Sequence, residues 1–530
     1  MRLPDDAMSM AVALALIFLA SLTSRAMIAR NADATFDVDG HLYFAKTLSE
    51  QHRGPFDDIT LQVVGASGFS QPFMWHWLVG WFDQRCIRRH QAWINSIVDS
   101  IFAVLSYVLM LQAGYGEHVA LFAVAMYLLT PMWFSSLAIG PRIAGFTPRL
   151  SSEVATNLFF AATLLPIDLP APAVLLLAAA LATFVLSSSK FGVQALMFLT
   201  PLICLFAQRW LPLVALLLAV ASLFVASRGR ALRQLNAQIS HLAWYFRENL
   251  AGRMHVSNRN SFDALVKPSE ASNREYVVKL VYRMVSENSY TSVLIKLPVL
   301  LMVIPVCATW LMRSDGGNAS LLAAPVIAAV ILLLVVNLRP MLFLGESERY
   351  LNHVAFFIAL CAAQHASAHG SEWVLWALMG YGLIYWLFES FGLTRLKPAE
   401  FKERKLQDAS VLQDLRQLPE PTVVLCYPYH AGSGVYRIMS ETPHHVVFCF
   451  GTSAEFSAHF NRRYAADYPY VRLDHLDEMA DDYRIGYLVL DRRALKTRGL
   501  EPLRLSARWT ARAVGGTTYA VYSRTVDGLR

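Results

Sequence analysis

The stretch Phe36-Asp37-Val38-Asp39-Gly40-His41-Leu42-Tyr43-Phe44-Ala45-Lys46 follows an apolar run over residues 8–28 and sets two carboxylates and a histidine at the edge of a span. Polar groups placed there need water, a cation or a polar substrate, because desolvating them for packing alone is costly. Asp37 or Asp39 can act as general base toward a hydroxyl, or hold a divalent cation that neutralises a diphosphate, and His41 stands beside them. The plain alternative is a pair of solvated loop acids. Against it, the flanking Phe36, Leu42, Tyr43 and Phe44 belong to an apolar border and not to an ordinary loop.

The rest of the chain supplies that border. Of 530 residues, 55% are hydrophobic and 16% charged, with 12 Trp, 21 Tyr and 30 Phe. That is more apolar surface than a soluble core hides, and it places the chain among mainly helical, polytopic membrane proteins. The net charge of +7 suits anionic headgroups or a phosphate-bearing substrate, and it also arises from membrane orientation and contact with membrane lipids. No basic stripe interleaved with stacking aromatics lies in a soluble part, so nucleic acid is not an expected partner. The six cysteines show no CxxC and no Cys/His ligand spacing, which argues against structural zinc. Cys426 and Cys449 sit in apolar strand-like runs, as two buried thiols or as a disulfide.

Hydropathy over a membrane-length window gives about eleven spans. After the first come runs near 92–113, 118–138, 153–167, 171–188, 191–207, 210–227, 291–312, 320–338, 351–365 and 372–392. The first is too long for a signal peptide and is kept as an anchor. The run Trp75-His76-Trp77-Leu78-Val79-Gly80-Trp81-Phe82 is too short to span, and its tryptophans suit the membrane interface. Counted from a cytoplasmic N-terminus, the loops 29–91, 139–152, 188–191, 228–290 and 339–350 share the outer side with everything beyond 393. The positive-inside rule helps little, since Arg228, Arg230, Arg233, Arg247, Arg253, Arg259, Arg274 and Arg283 crowd an outer loop long enough to escape it.

These spans predict a transmembrane domain over 1–393 with outer loops 29–91 and 228–290, and a charged linker over 394–420. Residues 421–530 alternate short apolar runs, at 423–427, 446–450, 487–491 and 519–522, with polar helical stretches, which is the cadence of a small α/β domain. Its turn His430-Ala431-Gly432-Ser433-Gly434 is either a phosphate-binding turn or a plain tight one.

Three more polar constellations fall on the same proposed face. In Arg142-Ile143-Ala144-Gly145-Phe146-Thr147-Pro148-Arg149-Leu150-Ser151-Ser152-Glu153, an acid joins two fixed cations; Glu153 is expected to open a helix capped by Ser151 or Ser152, a place the helix dipole also favours for an acid. Ser187-Ser188-Ser189-Lys190 is a polar break whose lysine either contacts phosphate or snorkels. Gly345-Glu346-Ser347-Glu348-Arg349-Tyr350 offers a guanidinium fork that fits phosphate oxygens, with Glu346 and Glu348 to hold it, or else an interfacial ion pair.

In their order these segments resemble the GT-C superfamily of polytopic glycosyltransferases, which use polyprenyl-phosphate-linked sugar donors. Val38-Asp39-Gly40-His41-Leu42-Tyr43-Phe44-Ala45 is similar to the first-loop acidic motif of oligosaccharyltransferase-like and mannosyltransferase-like enzymes. The stretch 71–82 is similar to the aromatic helix that follows it. Arg142 to Phe146 with Glu153 resembles the second acidic motif, and Gly345 to Tyr350 the late segment that meets the lipid phosphate.

The resemblance implies that Asp39 is the base, with Asp37 beside it, and Glu153 the second acid. It implies that Arg349 binds the donor phosphate; from their own segments Lys190, Arg149 and Arg142 are expected as further phosphate ligands, and His41, Glu346, Glu348 and Tyr350 as other residues of the site. A divalent Mg or Mn ion on Asp39 and Glu153 goes with the family pattern, although this second motif carries one acid where oligosaccharyltransferases often carry two, which leaves metal dependence open. The C-terminal part has no WWD-type peptide-recognition sequence, so an Asn-sequon acceptor is not implied. The expected function is transfer of a sugar, with inversion, from a polyprenyl-phosphate-linked donor to a glycan, lipid or protein acceptor, on the outer face of a bacterial-type cytoplasmic membrane. The other readings are a transporter or flippase of lipid-linked glycans, and a noncatalytic assembly protein of the same build.

Overall fold

The computed structural model describes residues 7–31, 36–137, 142–143, 145–250, 260, 280, 284–285, 288–313, 318–392, 399–429, 434–447, 452–466 and 470–524. Residues 141 and 144 of the second acidic segment, most of the loop 251–287, the turn 430–433 and Cys449 lie outside them. The chain divides into two compact units, one of Met1–Ala34, Pro72–Trp75 and Arg85–Arg395, the other of Thr35–Gln71, His76–Gln84 and Leu396–Arg530.

The first unit is a helical bundle built for lipid. Among the described residues six helices are long and apolar enough to cross a membrane, or eight if each of two sharply bent pairs counts as one span. Glu117–Leu129 and Ala355–Ala368 are shorter apolar helices. One bent pair joins Leu211–Ala226 to Ala231–Arg247 at 115°. The start of the loop 228–290 is therefore a helix, Ala231–Leu250, whose Phe246 ring meets Phe343 5.1 Å away.

Alanines such as Ala178, Ala182, Ala215, Ala219, Ala324 and Ala328 are buried, while Leu176, Leu217, Val225, Leu301 and Ile384 point outward. Small residues let helix backbones approach, and large apolar ones face the solvent a membrane provides. Helix Asn318–Val336 packs on Lys190–Ala207 and Leu300–Met312, and Pro148–Leu164 packs on Ala171–Ser188.

The second unit joins the first loop to the C-terminal chain. Strands β1 (Ile59–Thr60) and β2 (Gly68–Phe69) pair antiparallel in the loop. The C-terminal sheet comprises β3 (Val423–Tyr427), β4 (His445–Val446), β5 (Ile485–Asp491), β6 (Trp509–Ala511) and β7 (Tyr519–Arg524), in the order β4-β3-β5-β7-β6, with β3 parallel to β4 and β5. At its β4 edge the loop adds a piece of strand: Val64 N donates to Val446 O at 3.0 Å and Val446 N to Gln62 O at 3.1 Å.

Residues Ala399–Arg416, inside the charged stretch read as linker, are helical, and this helix ties into the sheet through Asp414, which accepts from Tyr487 Oη at 2.6 Å and Arg512 Nε at 2.7 Å. Burial alone would raise the Asp414 pKa, but these donors hold it below the ordinary carboxylate value. Cys426 is buried on β3.

The acidic motif of the first loop is a helix, Phe36–Glu50, where the sequence reads as loop. Val38, Leu42, Ala45 and Leu48 fall on one buried face at helical spacing. At Gly40 an added Cβ would come within 2.9 Å of the Tyr436 ring, so glycine permits the close approach of helix Val435–Glu441. Lys46 Nζ fixes the same contact by donating to Ser440 O at 2.7 Å.

Candidate functional site

The first unit holds a chain of alternating charges in its interior. Arg25 Nε donates to Asp99 Oδ2 at 2.7 Å, and Arg142 Nη1 donates to Asp99 Oδ1 at 3.0 Å. Arg142 Nε then reaches Glu153 Oε2 at 2.5 Å, while Arg149 Nε reaches Glu153 Oε1 at 3.0 Å. Arg25, Asp99, Arg142 and Glu153 are all buried. Tyr127 Oη donates to Asp99 and accepts from Arg142 Nη1 at 2.8 Å. Burial alone would favour a neutral guanidine at Arg142, yet Tyr127, Asp99 and Glu153 raise its pKa above the usual arginine value.

Local sequence sets this geometry. The helix opens at Pro148 with Thr147 as cap, its side chain accepting from Arg149 N at 3.3 Å. Glu153 therefore sits a turn inside the helix and does not open it, and the cap expected at Ser151 or Ser152 belongs to Thr147. Thr followed by Pro at the first helical position is a strong start signal that outweighs the serines. Arg149 and Glu153 then stand at i,i+4 on one face. Asn157, one turn on, donates to Asn352 O at 2.8 Å, and its Oδ1 accepts from Phe356 N at 3.0 Å. This joins the second acidic segment to the late one.

The late segment brings a second arginine. Arg349 Nε lies 2.6 Å from Glu346 Oε2, and its guanidinium sits 5.3 Å from the centre of the Phe191 ring. Phe191 also meets Tyr350 at 5.1 Å and stacks on His353 at 5.9 Å, and its ring lies 3.5 Å from where a Cβ at Gly345 would stand; the φ of 97° there suits glycine. Lys190 precedes it as the first residue of helix Lys190–Ala207, capped by Ser189, whose Oγ accepts from Gly192 N at 3.1 Å. Three of the four polar constellations therefore converge: Arg142/Arg149/Glu153, Lys190/Phe191 and Glu346/Arg349/Tyr350, with Arg149 close enough to feel the charges of Arg349 and Glu346. Glu348 accepts instead from Ser289 Oγ at 2.8 Å.

Four buried polar atoms in this cluster have no hydrogen-bond partner among the described residues: Arg142 Nη2, Tyr350 Oη, Asn352 Oδ1 and His353 Nδ1. Buried groups of this kind are paired in most proteins, and these four lie on the segments that carry Arg142 and Arg349.

Asp39 and His41 belong to the other unit. Asp39 is half-buried on helix Phe36–Glu50, and His41 Nδ1 lies 2.8 Å from Nε2 of the buried His76. The side chain of Asp37 lies outside the described residues. Among the described residues no group of three or more His, Cys, Asp or Glu side chains is placed to hold a metal ion. Glu153 does not fit such a role, because both its oxygens accept from guanidinium groups and two positive charges already flank it.

Sequence reasoning passed over Asp99, Arg25, Tyr127, Asn157, Asn352 and His353. A signal existed for the first two: Asp99 interrupts the apolar run 92–113 and Arg25 interrupts the run 8–28 near its end, and charges inside apolar spans mark function or pairing. Asn157, Asn352 and His353 carry no pattern of their own.

No family model and no curated protein matches the sequence. Solved structures do. ArnT from Cupriavidus metallidurans, bound to undecaprenyl phosphate, aligns over 99% of this chain and 100% of its own, with TM-score 0.53 and 13% identity. The apo oligosaccharyltransferase of Archaeoglobus fulgidus aligns over 91% of this chain and 69% of its own, with TM-score 0.54 and 13% identity. The chain has the GT-C fold. A further GT-C structure, AglB from the same archaeon in complex with an inhibitory peptide and a dolichol-phosphate, aligns over the same 91% and 69% with TM-score 0.50 and 13% identity. Within that fold the cluster of Arg142, Arg149 and Arg349 lies in the helical first unit.

Proposed function

We propose that the protein is a GT-C glycosyltransferase that moves a sugar from a polyprenyl-phosphate-linked donor to a cell-envelope glycan, lipid or protein acceptor, with inversion, at the outer face of the cytoplasmic membrane. The observation that carries the reading is the convergence of Arg142, Arg149 and Arg349 with four buried, unpartnered polar atoms inside a GT-C fold. ArnT bound to undecaprenyl phosphate and AglB bound to a dolichol-phosphate, both of this fold, support the donor class.

In this reading the lipid phosphate engages Arg149 and Arg349, and Glu153 and Glu346 hold the two guanidinium groups in fixed orientation before donor arrives. Preorganised cations stabilise the charge that collects on the phosphate as the sugar–oxygen bond breaks. Lys190, at the start of its helix, adds a positive charge and a helix N-terminus to the same segment cluster. The base role goes to Asp39 on the first-loop motif: its carboxylate takes the proton of the acceptor hydroxyl as that oxygen attacks the anomeric carbon, and polyprenyl phosphate leaves. A single displacement inverts the anomeric centre.

The test is mass spectrometry of envelope lipids and glycans from a deletion strain complemented with wild-type protein or with Asp39→Asn. Wild type is expected to restore one missing glycoform, and Asp39→Asn to restore none while accumulating to the same level in the membrane. Full restoration by Asp39→Asn removes the base from that position. A strain whose glycans never change, but whose lipid-linked intermediates accumulate on one side, supports the flippase reading instead.

A further inference from the structure

The aromatic run that closes the first loop takes no part in the chemistry above, yet in the second unit it walls a cavity of about 390 Å³. Leu48, Ser49, His52 and Arg53 line one side and Trp77 and Trp81 the other. The walls follow from two backbone features. Helix Phe36–Glu50 is closed by Arg53 N donating to Leu48 O at 2.9 Å, with His52 in the left-handed region at φ 50°, so the two basic residues leave the helix end together. At Gly80 an added Cβ would lie 2.8 Å from Ala45 O, so glycine there lets the aromatic run lie against the helix. Trp77 and Trp81, one turn apart, meet edge to face with ring centres 4.7 Å apart.

The lining carries positive charge without compensation. No carboxylate lines the cavity, and the side chains of His52 and Arg53 make no ion pair or hydrogen bond with any described residue. Arg53 can therefore offer its fork to two phosphate oxygens. The indole faces suit the C–H face of a sugar or cyclitol ring, whose slightly positive hydrogens pack on a negative π-surface. The volume falls in the range of about 300–1,000 Å³ typical of small-ligand sites, at the end that suits one ring and one phosphate. The rim is apolar and open: Leu78, Trp81 and Phe82 are 39%, 69% and 65% exposed. A soluble ligand gains nothing from such a rim, whereas acyl or prenyl chains do.

The geometry points to a binding site for the phosphorylated sugar or polyol headgroup of a membrane lipid, with the ring against the wall that Trp77 and Trp81 form together and the phosphate on Arg53 and His52. Its lining shares no residue with the arginine cluster, and the inference does not rest on the glycosyl-transfer reading.

The test uses the full-length protein in detergent, titrated calorimetrically with short-chain phosphatidylinositol, with phosphatidylcholine of the same chain length, and with glucose 6-phosphate. Saturable binding of phosphatidylinositol is expected, weakened on the order of tenfold by Arg53→Gln, the loss of one charge-assisted contact, and weakened also by Trp81→Ala. Both residues are exposed, so melting temperatures should not move. Equal binding of phosphatidylcholine would mean that the rim takes chains only and would overturn the headgroup site. Glucose 6-phosphate binding as tightly as phosphatidylinositol, and with the same Arg53 dependence, would assign the cavity to a soluble sugar phosphate and overturn the lipid source. Unchanged phosphatidylinositol affinity in Arg53→Gln would sink the site altogether.

Discussion

Glu153 decides whether the arginine cluster is a site or a strut, because it touches Arg142 at 2.5 Å and Arg149 at 3.0 Å and has no exposure of its own. Glu153→Gln keeps the shape and removes the charge that compensates two guanidinium groups. Breaking a buried pair from one side costs about 3–5 kcal/mol, and the amide oxygen still accepts one bond, so about 3 kcal/mol is expected, read as a lower melting temperature of the purified protein. A variant that melts like wild type and loses only turnover would show that Glu153 acts on the substrate directly. Arg349 is the complementary case, its side chain 18% exposed beside Glu346 and over Phe191. Arg349→Lys keeps the charge and loses the fork, so donor binding should weaken by about 1.5–3 kcal/mol while acceptor affinity and folding stay as they are. If the lysine protein instead misfolds while each folded molecule keeps full activity, the residue is an ion pair that sets helix depth.

The helix Phe36–Glu50 shows what a single sequence does and does not reveal about an element. Its acids stand out in the sequence, because they lie between Phe36 and Phe44 just after an apolar run. Its helical state does not, because Gly40 and two aspartates weaken helix propensity and the stabilising partner is far along the chain. That partner is Tyr436, whose ring would stand 2.9 Å from a Cβ at position 40. Gly40→Val is therefore expected to destabilise the second unit by about 1–3 kcal/mol through overpacking, measurable as a lower unfolding temperature, and Tyr436→Ala in the same chain should recover part of it. A Gly40→Val protein as stable as wild type would mean the two helices separate freely. The helix Pro148–Leu164 repeats the lesson in a smaller form: the charges at 142, 149 and 153 could be read directly, but the partners Asp99, Asn352 and His353 come from distant segments and only packing assembles them.

At the scale of the whole molecule, orientation is the property on which every proposed role depends, and one structural fact constrains it. The loop 35–71 and the C-terminal chain belong to one compact unit, bonded through Val64 to Val446 at the edge of the sheet. Both must then lie on the same side of the membrane, whatever the number of spans between them. Hydropathy reached the same pairing by counting helices, although arginines crowd the loop 228–290 on the side where the positive-inside rule would not put them. The expected side is the outer one. In a Cys86→Ser background, since Cys86 is exposed, cysteines placed at Glu50 and at Glu420 should both react with a membrane-impermeant maleimide on intact cells. Reaction at only one of the two positions would break the second unit apart. Reaction at neither until the membrane is opened would turn the unit toward the cytoplasm, taking Asp39 with it, and a donor presented at the outer face could then not be the substrate.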